Sequence, residues 1–316
     1  VDEGDTATLT GNINEISPLD TFTLAVDWGD GITETFNYAA ATTAFTETHI
    51  YQDDDPTATP SDTYTVTLIL SDDNGGTDVM TTTVTVDNVA PVLDNLAVTS
   101  VDENDAAALT ANLVDPGVLD TFVVVVDWGD GITETFNYGA GTTTISETHV
   151  YLDDDPTGTP SDPYTVTVSI TDDDTGTETG AAALIVSNVA PTVNAGPDQT
   201  VTFATPVNFA GSFTDPGTLD THEVSWDMGD GTIITGTLTP SHLYLTAGAF
   251  TVTLTVTDDD TGVGTDTMQV MVGTPTDVTL TSFAGQSRSW MWLLIAAALL
   301  PTWVWWLKRA WSIRRK

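Results

Sequence analysis

Asp27-Trp-Gly-Asp-Gly-Ile-Thr-Glu-Thr-Phe-Asn-Tyr38 returns letter for letter at Asp127 to Tyr138, and a looser copy, Trp226-Asp-Met-Gly-Asp-Gly231, follows. The tryptophans Trp28, Trp128 and Trp226 are 100 and then 98 residues apart, so one module is used three times within 316 residues. Each copy reads as the end of a strand, a tight turn on Gly-Asp-Gly and a returning strand. Ahead of the first turn, Phe22, Leu24, Val26 and Trp28 alternate with Thr23, Ala25 and Asp27. That is the period of a strand with one face buried, and it directs Trp28 inward.

Working outward, the repeat divides the chain at Asp87-Asn-Val-Ala-Pro91 and Ser187-Asn-Val-Ala-Pro191. The modules are expected at 1–91, 92–191 and 192–273, and the single proline at each joint, with no Gly/Ser spacer, predicts a stiff connection. Within the second module the strands are expected at 92–98, 106–111, 121–128, 132–138, 144–151, 164–171 and 180–186, which makes an all-β sandwich. Val1-Asp-Glu-Gly4 aligns with Val101-Asp-Glu-Asn104, so module one is expected to lack the opening strand that 93–98 gives module two. The chain therefore reads as the C-terminal part of something longer.

After a polar leader, 274–289, the stretch 290–307 runs eighteen residues without a charge. As a helix it would span about 27 Å, close to the roughly 30 Å hydrocarbon layer. Trp290 and Trp292 at one end and Trp303, Trp305, Trp306 and Trp311 toward the other form an aromatic belt. The basic tail 308–316 then predicts a single transmembrane helix with the C-terminus cytoplasmic and the modules extracellular or periplasmic. Pro301 is expected to kink that helix or mark a packing site for a partner helix.

Charge is partitioned sharply. All six cations, Arg288, Lys308, Arg309, Arg314, Arg315 and Lys316, lie after residue 287, and all 46 carboxylates lie before it. No Lys or Arg can form a salt bridge in the modules, and nucleic acid is excluded as a partner because its phosphates would be repelled. There is no cysteine, so cohesion must come from packing and strand pairing, with or without bound metal.

An antiparallel trace enters each module at one pole and leaves at the other, so the modules extend as a rod and loops of neighbours meet. At the first joint Asp27, Asp30, Asp53, Asp54 and Asp55 are expected to approach Asp115, Asp120, Asp172, Asp173 and Asp174. At the second, Asp127, Asp130, Asp153, Asp154 and Asp155 are expected to approach Asp215, Asp220, Asp258, Asp259 and Asp260. Two carboxylates 6 Å apart repel by on the order of 3 kcal/mol at an effective dielectric near 20, and no basic residue offsets them. A hard divalent cation removes that cost, and clustered carboxylates with backbone oxygens suit Ca²⁺. The third module carries only Leu-Thr-Ala-Gly-Ala between Tyr244 and Phe250, so the acidic insert is missing where no further module follows. The same aspartates also suit turns, because their side chains cap their own backbone. Salt adaptation accounts for the acidity but not for the missing loop.

His49, His149 and His242 recur once per module ahead of Tyr51, Tyr151 and Tyr244, with His222 apart, and are expected to be strand-end residues tied to the backbone. No nucleophile elbow, phosphate loop or dinucleotide fingerprint is present, and the paired carboxylates define no single cleft.

Trp28-Gly-Asp-Gly31 and its two copies, His49 with Tyr51, His149 with Tyr151, His242-Leu-Tyr244, and the strands Tyr64-Thr-Val-Thr-Leu68, Tyr164-Thr-Val-Thr-Val168 and Phe250-Thr-Val-Thr-Leu254 resemble the PKD (polycystic kidney disease) domain family. The resemblance covers residues 1–273, and modules one and two depart from it by the insert at 52–63 and its repeat. It implies immunoglobulin-like sandwiches of a microbial cell-surface protein, without catalytic activity, acting as spacer, adhesive module or stalk. Three readings stay open: a membrane-anchored stalk or adhesin facing surface proteins or polysaccharide, an accessory subunit packing through its Trp-rich helix, and the spacer of a surface hydrolase.

Overall fold

The computed structural model describes residues 1–274, which fold as three β-sandwiches in series. In the first, the strands Thr33–Tyr38, Phe22–Asp27, Ser61–Asp72 and Thr77–Asp87 lie side by side in that order. They face the pair Thr6–Asn12 and Ala44–Ile50. The second sandwich repeats the larger sheet with Thr133–Tyr138, Phe122–Asp127, Ser161–Asp172 and Thr177–Ser187, and adds Val101–Asp102 in parallel at its edge. Its facing sheet has three strands, Thr144–Val150, Ala106–Val114 and Val92–Val98. Among the described residues the first sandwich has no counterpart of Val92–Val98, and its Met80, where Gly180 faces Leu96 in the second sandwich, stands exposed on that side.

The third sandwich orders Gln199–Val201, Val263–Val272, Gly248–Asp258, His222–Asp227 and Ile233–Thr235 in one sheet. Two short pairs, Thr192–Asn194 with Ser212–Thr214 and Val207–Asn208 with Ser241–His242, form the other.

Alternation builds each core. Phe122, Val124 and Val126 are buried while Val123 is exposed, and Val166, Val168 and Ile170 of the neighbouring strand pack onto them. Trp128 is fully buried, and an indole of about 200 Å² contributes on the order of 5 kcal/mol of transfer free energy. Its Nε1 donates to Glu134 Oε2 at 2.8 Å, so the one polar atom is satisfied.

The hairpin turn is built by its charged and glycine residues together. Asp127 Oδ1 accepts the Gly129 amide at 3.0 Å, Asp130 Oδ1 accepts the Ile132 amide at 2.9 Å, and Trp128 N donates to Ile132 O at 3.0 Å. Gly129 has φ +86°, and a Cβ there would stand 2.7 Å from the Thr165 carbonyl oxygen of the adjacent strand, so glycine is required on two counts.

The third tryptophan does not occupy the position of the other two. Met228 makes the turn bond to Thr232 and accepts the Tyr244 hydroxyl at 2.9 Å, as Trp28 accepts Tyr51 and Trp128 accepts Tyr151. Trp226 therefore stands where Val26 and Val126 stand. Residues two apart on a strand share a face, so the indole still fills the core from the earlier position.

The described residues form no helix long and apolar enough to cross a membrane. The stretch 290–307 and the tail 308–316 lie outside the described residues.

Candidate metal centres

Each joint is tied to both of its sandwiches. In Asp87-Asn-Val-Ala-Pro91 the Asn88 amide donates to Pro60 O at 3.1 Å, and its side-chain Nδ2 donates forward to Asp172 Oδ2 at 3.2 Å. Val89 N donates back to Glu3 Oε1 at 2.8 Å. Loop to loop, Val118 N donates to Gln52 O at 3.1 Å and Thr59 N to Asp174 Oδ1 at 3.0 Å. The second joint repeats most of this set: Asn188 Nδ2 to Asp258 Oδ2 at 3.1 Å, Val189 N to Glu103 Oε1 at 2.7 Å and Thr218 N to Leu152 O at 3.0 Å.

The acidic insert has a defined shape. Asp62 accepts the Thr57 amide and hydroxyl, both at 2.9 Å, and the Tyr64 hydroxyl donates to Asp53 O at 3.1 Å. The loop is thereby folded against the sandwich that carries it, and Asp53 and Asp54 are turned into the joint rather than toward water.

There they meet carboxylates of the next sandwich. Oxygens of Glu3, Asp53 and Asp120 all lie within 4.8 Å of one another, as do those of Asp53, Asp54 and Asp174. At the second joint Glu103, Asp153 and Asp154 are gathered from the second sandwich, facing Asp220 of the third beside Gly217. Asp54, Asp120 and Asp154 are 0% exposed, and Glu3 and Glu103 are 1% and 2%. Both carboxylate oxygens of Asp54, Asp120, Asp154 and Asp220 accept no hydrogen bond, nor do Glu3 Oε2, Glu103 Oε2 and Asp115 Oδ2. An unpaired buried charge is among the costliest arrangements a protein can hold, so these oxygens fit a cation.

Their acidities carry the same information. Burial, then the neighbouring Glu3 charge, pushes Asp120 up to about 9. Burial lifts Glu103 to about 8 and Glu3 to about 7, each partly offset by a backbone amide. Asp54 and Asp154 rise to about 7 through burial and then the charges of Asp174 and Asp260 across the joint. Burial and nearby carboxylates likewise raise Asp53 and Asp153, and lift Asp115, Asp174 and Asp260 to about 6 and Asp220 to about 7.

A glycine leaves room at the convergence point. A Cβ on Gly117 would stand 2.5 Å from both Asp120 Oδ2 and Glu3 Oε2, and one on Gly217 would stand 2.5 Å from Asp220 and Glu103 oxygens. Neither glycine has left-handed backbone angles, so space alone explains the residue.

Not every expected aspartate joins. Asp27 and Asp127 cap Gly29 and Gly129, and Asp30 and Asp130 hold the turn amides and pair with His49 and His149, both at 2.7 Å. Asp55 and Asp155 are exposed. Asp173 and Asp259 accept the Thr121 and Thr221 amides inside their own sandwiches at 2.7 Å, and the Thr221 bond, the largest influence on it, holds the pKa of Asp259 below the usual carboxylate value. Asp172 and Asp258 reach the joint through Asn88 and Asn188 while capping Gly176 and Gly262. Asp215 is different: it accepts the Gly217 amide at 3.3 Å and pairs with His222 Nε2 at 2.8 Å, and its oxygen gathers with Asp220 and His222 within 4.8 Å.

Glu3 and Glu103 were not among the expected residues. Their signal was the repeat Val1-Asp-Glu3 and Val101-Asp-Glu103, against Val201-Thr-Phe203 in the third sandwich. Phe203 packs against its own core instead.

The histidines differ from the expected backbone tie. Each Nε2 meets a carboxylate, and the His49 and His149 rings stack on Trp28 and Trp128 with centroids 4.8 Å apart. Stacking and pairing explain them structurally, with no second His beside any of them.

The fold and its joints define a tandem array of immunoglobulin-like β-sandwiches. The sequence profile of the PKD domain matches residues 188–272, the third sandwich. Among solved structures, a tetra-tandem repeat from the extending region of a large adhesion protein is 20% identical, with 86% of this chain and 71% of that chain covered and a TM-score of 0.38. Extracellular domains 3–5 of Drosophila OTK are 12% identical, covering 86% of this chain and 93% of that one at a TM-score of 0.27. The first two immunoglobulin domains of DIP-gamma are 12% identical over 59% of this chain and 99% of that one, at 0.29. No curated protein matches the sequence.

Proposed function

We propose that this chain is a non-catalytic, membrane-anchored stalk of an adhesin-type surface protein, whose sandwiches are locked end to end by Ca²⁺ at their joints. The observation that carries the reading is the set of buried carboxylate oxygens, contributed by both neighbours at each joint, that accept no hydrogen bond. No Lys or Arg occurs before Arg288 to neutralise them. Hard oxygen donors of this density suit Ca²⁺ rather than Zn²⁺, which prefers nitrogen and sulfur. Bound cations would turn mutual repulsion into cross-linking and hold each pair of sandwiches in one orientation.

The uncharged, Trp-flanked stretch 290–307 with its basic tail supplies the anchor, leaving the acidic sandwiches outside the cell. The clustered carboxylates are shared between neighbours rather than set around one substrate cleft, which favours a mechanical role over hydrolysis.

Small-angle scattering of the full chain in detergent, with Ca²⁺ and with chelator, tests this. Calcium should raise the melting temperature and narrow the distribution of inter-sandwich distances. An unchanged melting temperature and unchanged dimensions would overturn the calcium-locked stalk.

A further inference from the structure

We infer that each joint holds two cations rather than one, bridged by a single aspartate: Asp53 at the first joint and Asp153 at the second. This rests on the calcium-locked reading above and specifies its stoichiometry. At the first joint ligand-grade oxygens form the triplet Glu3 with Asp53 and Asp120 and the triplet Asp53 with Asp54 and Asp174. Asp53 is the member they share. Glu3 Oε2 and Asp120 Oδ2 converge beside Gly117, while Asp54 and Asp174 approach from the insert and from the turn after Thr171.

Charge favours two ions. The five carboxylates of the two triplets carry five formal negative charges, so one divalent ion leaves three uncompensated in a buried setting and two leave one. Coordination agrees, since a Ca²⁺ takes about six to eight oxygens and seven of the ten oxygens on these five side chains accept no hydrogen bond, with backbone carbonyls to add to them. A carboxylate bridging two cations about 3.5–4 Å apart is the usual geometry of such pairs.

At the second joint Glu103, Asp153 and Asp154 of the second sandwich are gathered, and oxygens of Asp220 from the third converge with Glu103 beside Gly217. The atoms without hydrogen bonds are Glu103 Oε2, Asp260 Oδ1 and both carboxylate oxygens of Asp154 and Asp220.

The test counts Ca²⁺ retained by the full chain, stripped with chelator and reloaded, by native mass spectrometry. Glu3→Gln and Asp174→Asn should each remove about one ion, the double variant about two, and Asp53→Asn about two. Each replacement removes a buried negative charge, so the chelated protein should keep its fold, which circular dichroism checks. Glu103→Gln and Asp260→Asn give the same count independently at the second joint. A double variant that loses no more than either single one, at both joints, overturns the two-ion centre and leaves a one-ion lock standing. A wild-type chain that retains no calcium overturns both.

Discussion

Glu3 of the first sandwich and Asp120 of the second point their free carboxylate oxygens at the same space, across a joint that their own backbones do not cross. Glu3 is held there by the Val89 amide on its other oxygen, and Asp120 is completely enclosed. The space exists because residue 117 has no side chain. Gly117→Ala would place a methyl group 2.5 Å from both oxygens, without any backbone strain of its own. Overpacking of this kind costs about 1–3 kcal/mol, so calcium affinity at the first joint should fall roughly 5- to 150-fold. Gly139→Ala, with nothing near its Cβ, should leave affinity unchanged, and a calcium titration of the two variants decides.

The joints also set an unusual pH dependence for the calcium-free protein. Glu3, Asp54, Asp154 and Asp220 at about 7, Glu103 at about 8 and Asp120 at about 9 all sit above their unfolded values near 4. A group whose folded pKa is raised favours the fold while protonated. Its contribution is complete below the unfolded pKa and is lost as pH climbs through the folded one. With chelator present, stability should therefore fall between about pH 4 and pH 9, opposite to ordinary acid denaturation. With saturating Ca²⁺ the ionised form is the one bound, so neither state holds these protons above the unfolded pKa and stability should stay level over the same window. Thermal melts across that range, with and without calcium, check that the two curves meet at low pH and diverge as pH rises.

Much of the fold could be read before any coordinates. The duplicated stretch from Asp27 and the alternation through Phe122, Val124 and Val126 specify strand, turn and buried face, because a period of two leaves only one face for the core. Trp226 could not be placed this way. Identity of residue type suggested alignment with Trp28, whereas the turn geometry, which follows Gly229 and Gly231, gives that position to Met228. The joints were legible in part: the insert Asp53 to Asp55 and the turns at Asp115, Asp120 and Asp172 lie at facing poles, so topology alone brings them near. Which oxygens are free was not legible. Asp30 and Asp53 are both acidic residues in loops at the same pole, but one is consumed by His49 and its own turn while the other is buried facing Asp120. Glu3 was not legible because it sits in the turn after the single bridge Asp2 to Asp87, away from the insert and the hairpin turns that topology places at the joint.

Tyr51, Tyr151 and Tyr244 each bury a hydroxyl on the carbonyl oxygen of residue 28, 128 or 228, at 2.9, 2.8 and 2.9 Å. Replacing Tyr151 by Phe keeps the ring and orphans the Trp128 carbonyl. A buried acceptor left without its donor costs about 1–3 kcal/mol. Denaturant unfolding of Tyr151→Phe should show that loss, with calcium stoichiometry unaltered, since the tyrosine contacts no joint carboxylate through its hydroxyl.

Gly29 and Gly31 separate backbone conformation from crowding. Both have φ near +90°, but a Cβ on Gly29 would meet the Thr65 carbonyl at 2.7 Å, while one on Gly31 would meet nothing. Gly31→Ala then bears only the conformational penalty of a left-handed alanine, about 1–2 kcal/mol. Gly29→Ala adds a clash with the backbone of the neighbouring strand, which cannot yield without breaking the pairing of Asp27 with Thr67. Its loss should exceed that of Gly31→Ala by about 1–3 kcal/mol, the range for overpacking. Urea denaturation of the two variants compares them directly. Equal losses would mean that the Phe22–Asp27 and Ser61–Asp72 strands have room to separate at this turn, and that the glycine serves the turn alone.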